Sequence, residues 1–520
     1  MSTARIICHL ARADFLERVR RYSFLVMLGL VVFLGYQTAV GNLALELGQY
    51  RGEYNSAWVG AMMSLIATFF LGWFGFYLVK GSVARDRETG VGQIMATTPL
   101  TRPLYLLGKW LSNFAVLAAM LAVLALAGLV IQFMQGESMQ VNLPAFLAPF
   151  FLIALPLLAL VAAAAVLFES IPFLQGGFGN IVYFFAFIMF LPLFMENSTL
   201  SQYPAYEPMG LGLLSSEMGR AVTAIHPDYS GDFSLGSSGQ EVTDTFTWNG
   251  VQWTPAILFA RFTLIVLAVA FTFFAALFFD RFDPSRSKPR RMKKSAADAT
   301  PAPAAASQAL PAVRLTPLNR AASRFSFFSV LSAELKLLLK GQRWWWYAIA
   351  GGLIVASIVN PSPITRQYVL PIAWAWHILL VSSLGNREAR DNVQQLTFSS
   401  ASPLWRQLPA QWLAGFIVTL LMGAGALVRF ATDGDTAGLL ALFSGAIFIP
   451  SLSLVLGVWS GTSKVFEIVY ISLWYLGPMN RVDAVDFSGA NSSGRPEFFI
   501  PFSIALIALA FLGRSRQLRN

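Results

Sequence analysis

The sequence predicts an all-α polytopic membrane protein made of two six-helix halves, each preceded by an amphipathic helix lying in the interface. Three observations carry that prediction. Only 12% of the 520 residues are charged against 56% hydrophobic, and mean hydropathy is +0.59, where a soluble chain carries roughly 25% charged residues. Apolar runs long enough to cross a ~30 Å hydrocarbon core recur along the whole chain, each crossing needing about 20 residues. An open sheet would leave backbone groups unpaired in lipid, so the crossings are helical. The third observation is a weak internal repeat whose two copies carry their apolar runs in the same order.

The chain opens on a basic segment (Arg5, Arg12, Arg18, Arg20, Arg21) with no small-residue cleavage site after the first apolar run, which reads as a retained signal anchor. Cys8 is the single cysteine, which excludes an intrachain disulfide and a Cys-rich metal site. Ile7, Ala11, Phe15 and Val19 recur at four-residue steps with Arg12 and Arg18 on other faces, the pattern of a helix lying flat in the interface. Before the second half, "RFSFFSVLSAELKLLLKG" puts Phe327, Leu331, Leu335 and Leu338 on one side and Lys336 and Lys340 elsewhere. For both segments the alternative is an N-terminal extension of the next span.

Spans are expected at about 23–40, 57–80, 110–134, 145–168, 180–196 and 255–279, then 344–360, 367–385, 408–429, 437–459, 465–479 and 498–513. The N-terminus, the 81–109 loop, the 280–343 stretch and the tail (Arg514, Arg516, Arg519) are net basic, and the intervening loops are acidic or nearly neutral. By the positive-inside rule both termini are cytoplasmic and the long acidic loop 197–253 faces outward as a cap or gate. The net charge of +10 is thus a matter of topology, and a nucleic-acid partner is set aside. The domains expected are a first repeat over 1–279, a disordered basic and Ala/Pro-rich linker over 280–324 that touches anionic lipid, and a second repeat over 325–520. "RWWWYA" at 343–348 reads as an interfacial aromatic belt.

Sliding the sequence by 302 positions lays "ARDRETGVGQIMATT" over "NREARDNVQQLTFSS". Arg85 then meets Arg387, Asp86 meets Glu388, Gln93 meets Gln395, Trp110 meets Trp412 and Phe114 meets Phe416. The first copy is charged and rich in turn residues. Asp86, Arg87 and Glu88 project beyond the second span, Gly90-Val91-Gly92 permits a sharp change of direction, and a short helix runs to Thr98 before Pro99. Lys109 is expected to anchor the third span at the headgroups. A polar knob of this kind suits docking to a soluble partner; on physics alone an ordinary connecting loop fits as well.

"RETGVGQIMATTPLTRPLYLLGKWL" resembles the cytoplasmic loop of ABC-2 type transporter permeases, with Glu88, Gly90, Thr98-Pro99, Arg102 and Gly108-Lys109 falling on that pattern. The flat helix before the first span and six spans per half resemble the same family. The resemblance implies a fused membrane subunit of about twelve spans in a prokaryotic cytoplasmic (inner) membrane, working as an exporter; the Phe-, Leu- and Ala-rich spans with few polar groups favour a hydrophobic or amphipathic cargo of unassigned identity. It also implies a separate ABC ATPase subunit, in two copies, that carries ATP and Mg. The docking residues it implies are Arg85, Asp86, Arg87, Glu88, Gly90, Thr97, Thr98 and Pro99, with Arg387, Glu388 and Arg390 in the second half. That half departs from the pattern, with Arg390 for Glu88, Asn392 for Gly90 and Gln411 for Lys109.

The chain itself is not expected to be an enzyme or to hold a cofactor or metal. Gly108-Lys109 lacks the preceding glycine of a phosphate loop, and Trp110 stands where a Ser/Thr would hold magnesium. The rival is a proton- or ion-coupled secondary transporter, which needs ionisable groups near the midplane. His377 in "AWAWHILL" sits deepest, while Arg261, Glu169, Glu196, Lys464 and Glu467 lie near span ends.

Overall fold

Because hydrocarbon offers no partner for a free N–H or C=O, each apolar run closes its own backbone bonds as a helix. The computed structural model describes residues 3–135, 137–190, 203–227, 229, 233–236, 244–282, 326–340, 342, 344–400, 402–491 and 494–519. The linker from 283 to 325, Glu196 and parts of the 197–253 loop (197–202, 228, 230–232 and 237–243) lie outside them. The chain divides into two compact units, Met1–Ser287 and Lys288–Asn520.

In the first unit, α1 (Thr3–Val19) and α2 (Tyr22–Ala39) are followed by α3 (Ser56–Val79), α4 (Ser82–Glu88) and α5 (Val91–Ala96). Then come α6 (Arg102–Gln135), α7 (Leu143–Ser170), α8 (Gly177–Phe190), α9 (Leu211–Ile225) and α10 (Pro255–Phe278). Helix starts carry the residues that satisfy open N–H groups: the Asn55 side chain accepts from Trp58 N at 2.9 Å, and Thr254 accepts from Ile257 N with Pro255 in the first turn. α3 is the most enclosed helix, packed by α6 and α7. Gly60 makes that approach possible, since a Cβ there would stand 2.4 Å from the carbonyl oxygen of Phe146. α7 contains a π-helical turn, Phe150–Ala154, between Pro149 and Pro156, where proline cannot supply the regular bond.

The all-α class has one small departure. β1 (Ala44–Glu46) pairs antiparallel with β3 (Ser234–Gly236), and β2 (Tyr50–Gly52) pairs parallel with β4 (Asp244–Phe246). These segments lie between apolar runs, where backbone can pair between strands. The same end holds a Tyr50–His226 ring stack at 4.3 Å and a bidentate Arg51–Glu137 pair, 2.6 Å at its shorter bond.

The second unit holds α11 (Phe327–Leu339), α12 (Trp344–Val359), a broken stretch over 362–381, α13 (Arg387–Arg390) and α14 (Gln394–Phe398). It ends with α15 (Pro403–Met422), α16 (Ala424–Asp433), α17 (Thr436–Ser460), α18 (Ser463–Trp474) and α19 (Phe499–Arg519). In the aromatic run, Trp344, Trp345 and Tyr347 are exposed whereas Trp346 turns inward to stack on Trp376.

Among the described residues six helices are long and apolar enough to cross a membrane, and eight if the bent pairs Arg5–Val19 with Phe24–Ala39 (75°) and Pro403–Met422 with Ala424–Asp433 (59°) each count as one. The other four of the twelve runs expected as spans correspond to α8, whose run continues past the described residues, and to α12, the 362–381 stretch and α18, which are shorter or broken; prolines account for two of these. Pro371 follows a π-helical turn at Thr365–Val369, and Pro478 lies inside another at Tyr475–Met479.

Gly60→Ala should cost about 1–3 kcal/mol through overpacking against Phe146 and lower the thermal unfolding midpoint of the detergent-purified protein. Gly29→Ala, where nothing stands within 4 Å of the added Cβ, should leave the midpoint unchanged or raised.

Candidate docking site

The 81–109 segment begins where α3 stops. Gly81, at φ 114°, turns the chain in a conformation that favours glycine. The backbone N–H groups of Gly81, Ser82, Val83 and Ala84 all donate to the Glu169 carboxylate at the end of α7, Ser82 at 3.0 Å and Ala84 at 3.2 Å. A carboxylate at this point satisfies the open donors of α4 and faces the positive end of its dipole. Arg18 Nη1 donates to the Val79 carbonyl at 3.1 Å, and Lys80 donates to Asn180 Oδ1 at 2.7 Å. Both ends of the α3–α4 junction are therefore held by side chains from other helices.

Beneath the loop lies a cluster of three carboxylates (Asp14, Glu17, Asp86) and four cations (Arg18, Arg21, Arg85, Lys109). Lys109 Nζ stands 2.8 Å from both Asp14 Oδ1 and Asp86 Oδ2. Arg18 Nε is 3.1 Å from Asp14 Oδ2, Ser112 donates to that oxygen at 2.8 Å, and Tyr105 donates to Asp86 Oδ2 at 2.8 Å. Arg85 joins Asp14, Glu17 and Asp86. Lys109 is only 1% exposed, so it is not a headgroup anchor: α1 lies over it and brings Asp14 to its ammonium group. The buried stripe of α1 is Ala11, Asp14 and Arg18 rather than the apolar row alone.

This inward cluster accounts for Arg85 and Asp86. Arg87 pairs with Asp280 at 3.0 Å, and Arg281 donates to the Thr98 carbonyl at 2.9 Å, tying the loop to the end of α10. Gly90, at φ 75°, separates α4 from α5. Gly92 presses on Phe282, whose ring a Cβ would meet at 2.6 Å. Glu88, Thr97, Thr98 and Pro99 are exposed, and α5 presents Val91 and Ile94 outward, Ile94 at 69% exposure.

The second unit reaches a similar arrangement with other side chains. The buried stripe of α11 is Leu331, Glu334 and Leu338, the same spacing as in α1. Arg387 Nη1 pairs with Glu334 Oε2 at 2.8 Å. Glu388 is buried and accepts from Gln407 and, at 2.6 Å, from Gln411, the residues 302 positions after Tyr105 and Lys109. Its cation is Arg514 of α19, at 3.2 Å. Asn392, 302 positions after Gly90, also takes a left-handed conformation, φ 54°, which asparagine is among the few side chains to tolerate. Arg390 is exposed beside Asp391, and Leu396 of α14 is 77% exposed. Trp110 stacks on Phe114 and Trp412 on Phe416 in the two units.

Asp14, Glu169, Glu334 and Arg514 were not legible as site residues. The available signal was an acid in the middle of each amphipathic stripe, three residues after Ala11 and after Leu331. Glu169 sits at a helix end with nothing local to mark its role. His377, fully buried, shares a 3.0 Å hydrogen bond with Thr419 Oγ1.

These features define a multi-pass helical membrane protein whose short loop helices are held from below by buried ion pairs. Residues 8–283 match the family described as ABC-2 family transporter protein, just over half of the chain, and the chain belongs to that family. No curated protein and no solved structure matches it. The family is the membrane component of an ABC transporter, a permease rather than the ATPase, and normally partners with an ABC ATPase subunit.

Asp14→Ala strands buried cations and should cost about 3–5 kcal/mol, seen as a lower unfolding midpoint. Arg514→Gln should destabilise the second unit, and adding Gln411→Lys should restore much of the loss, because the new ammonium group would stand where Lys109 stands in the first unit. No recovery in the double variant would show that the cation must come from α19.

Proposed function

We propose that this protein is the permease subunit of an ABC exporter. It forms the translocation path and couples it to ATP hydrolysis on a separate nucleotide-binding subunit, two copies of which serve the chain through the 85–99 and 387–400 loops. The observation that carries this reading is the pairing of an outward tip with a stiff base. Glu88 at the end of α4 and Ile94 of α5 face solvent, while α4 is tied through Arg85 and Asp86 into the buried cluster with Asp14 and Lys109. An exposed apolar side chain with polar neighbours suits a groove on a partner. A charge-paired base resists local yielding, since moving one member alone would strand a charge in a low-dielectric site.

In this mechanism the partner binds ATP and Mg and closes. The push on α5 passes through α4 to α3 at Gly81, and through the Asp14–Lys109 and Asp86–Lys109 pairs to α1 and α6. The docking surface is then Glu88, Val91, Ile94 and Thr97 to Pro99, with Arg85 and Asp86 stiffening it from within. In the second unit Leu396 and Arg390 take the surface role and Arg387 and Glu388 the inner one. The basic termini and loops support an inner-membrane protein with both ends in the cytoplasm, and the basic run of the linker would contact anionic lipid.

Native pull-down of the tagged protein in mild detergent, with an ATPase assay on what accompanies it, tests the reading. Glu88→Lys and Ile94→Asp should each lower the recovered ATPase about tenfold, equivalent to about 1.4 kcal/mol, with membrane insertion unchanged. Unchanged co-purification in both variants would remove the loop from coupling. A protein purified with no ATP-hydrolysing partner would favour a secondary carrier, and His377 would be the next residue to change.

A further inference from the structure

The 75° bend between α1 and α2 leaves a recess against the α3–α4 junction and α6. Its volume is about 30 Å³. One water needs roughly 10–15 Å³, so the recess has room for a group of about two or three oxygen atoms. Four cationic side chains, Arg18, Arg21, Lys80 and Arg85, line it, and among the described residues no carboxylate does. Phe24 of α2, Leu78 of α3 and Val116 of α6 complete the wall, each from a helix that continues into an apolar run.

The cations around the recess outnumber the acids. Arg18, Arg21, Arg85 and Lys109 meet Asp14, Glu17 and Asp86. Lys80 and Glu169 add one charge of each sign. Lys80 donates to the neutral oxygens of Leu174, Gly176 and Asn180, and Glu169 accepts the N–H groups at the start of α4. Five cations thus stand with four carboxylates, an excess of one positive charge.

Two of the lining guanidinium groups are accessible, Arg21 at 44% exposure and Arg85 at 21%. Arg21 directs Nε and Nη2 to Glu17, at 2.9 and 2.5 Å, which leaves Nη1 without a partner among the described residues. Arg85 directs Nη1 and Nη2 to Glu17, Asp14 and Asp86, which leaves its Nε. Arg18, whose Nη2 is covered and unpartnered among the described residues, adds charge rather than contact. A small group of oxygens bearing one negative charge, set between arginines and helices that enter hydrocarbon, matches the phosphodiester of a phospholipid.

We propose that this recess binds the phosphodiester of one anionic phospholipid, with Arg21 and Arg85 as its donors and its acyl chains beside Phe24 of α2. A choline headgroup would bring a second cation to a site already positive, so an anionic lipid is selected over phosphatidylcholine. The site needs no ATPase partner, and its test is separate from that of the permease reading.

The full chain, stripped of lipid in mild detergent, is titrated with dioleoyl-phosphatidylglycerol or dioleoyl-phosphatidylcholine and followed by native mass spectrometry. The first phosphatidylglycerol should bind about tenfold more tightly than phosphatidylcholine. Arg21→Gln, which alters an exposed side chain, should remove that preference. Leu78→Trp, which fills the recess without changing a charge, should weaken phosphatidylglycerol binding about tenfold as well. Arg20→Gln, one residue away and exposed but outside the recess, should leave binding unchanged. Equal losses in the Arg20 and Arg21 variants would reduce the effect to a general attraction of a basic helix for anionic lipid and overturn the proposal. Equal affinity for the two lipids, or unaltered binding in Leu78→Trp, would overturn it too. Persistence of the bound lipid in excess inorganic phosphate supports the lipid as ligand, whereas its displacement by an equal concentration of phosphate would assign the recess to the free anion and overturn the lipid.

Discussion

Asp14 occupies a place on α1 where a leucine would ordinarily seat an interfacial helix on its neighbour. An ionised carboxylate at such a contact is tolerated only when cations and donors surround it. Lys109, Arg18, Arg85 and Ser112 do so. Because Lys109 is shared with Asp86, and Asp86 with Tyr105, the positions of α1, α4 and α6 are set together. Sliding any one of them alone would leave a charge in a site that cannot solvate it. The elements around the cluster are therefore expected to move as a body, which is what a loop receiving a mechanical push requires.

The second unit meets the same requirement with a different distribution of charge. Gln411 stands where Lys109 stands and cannot neutralise Glu388, so the cation comes from Arg514 on the last helix. The amphipathic helix keeps its central acid, Glu334, and Arg387 answers it. Departures that look like decay along the sequence are thus conservative in physical terms. Asn392 for Gly90 is another: asparagine is among the few residues that adopt the left-handed turn needed there.

Burial sorts the charged loop residues into two roles. Arg85, Asp86, Arg387 and Glu388 point into ion pairs, whereas Glu88, Arg390 and the threonines of 97–98 face solvent. A string of charges beside a span reads the same in either case, because sequence spacing around a tight turn does not say which side is covered. Arg261 shows the converse, a residue visible as an intramembrane charge whose hydrogen bond, to the Glu207 carbonyl, comes from a segment 54 residues away.

What the sequence alone determined was whatever depends on local composition and period. The long apolar runs are helices because lipid permits little else, the four-residue apolar steps mark α1 and α11, and the turn residues mark the loop between α4 and α6. The sequence also offers a 302-residue register, in which Trp110–Phe114 and Trp412–Phe416, stacked pairs in the two units, fall at matching positions. Only the tertiary structure decided which carboxylate meets which cation, that Glu169 closes the start of α4 from 85 or more residues away, and that α1 covers Lys109. These are contacts between segments far apart in the chain, and a charge carries no local mark of the partner that will neutralise it.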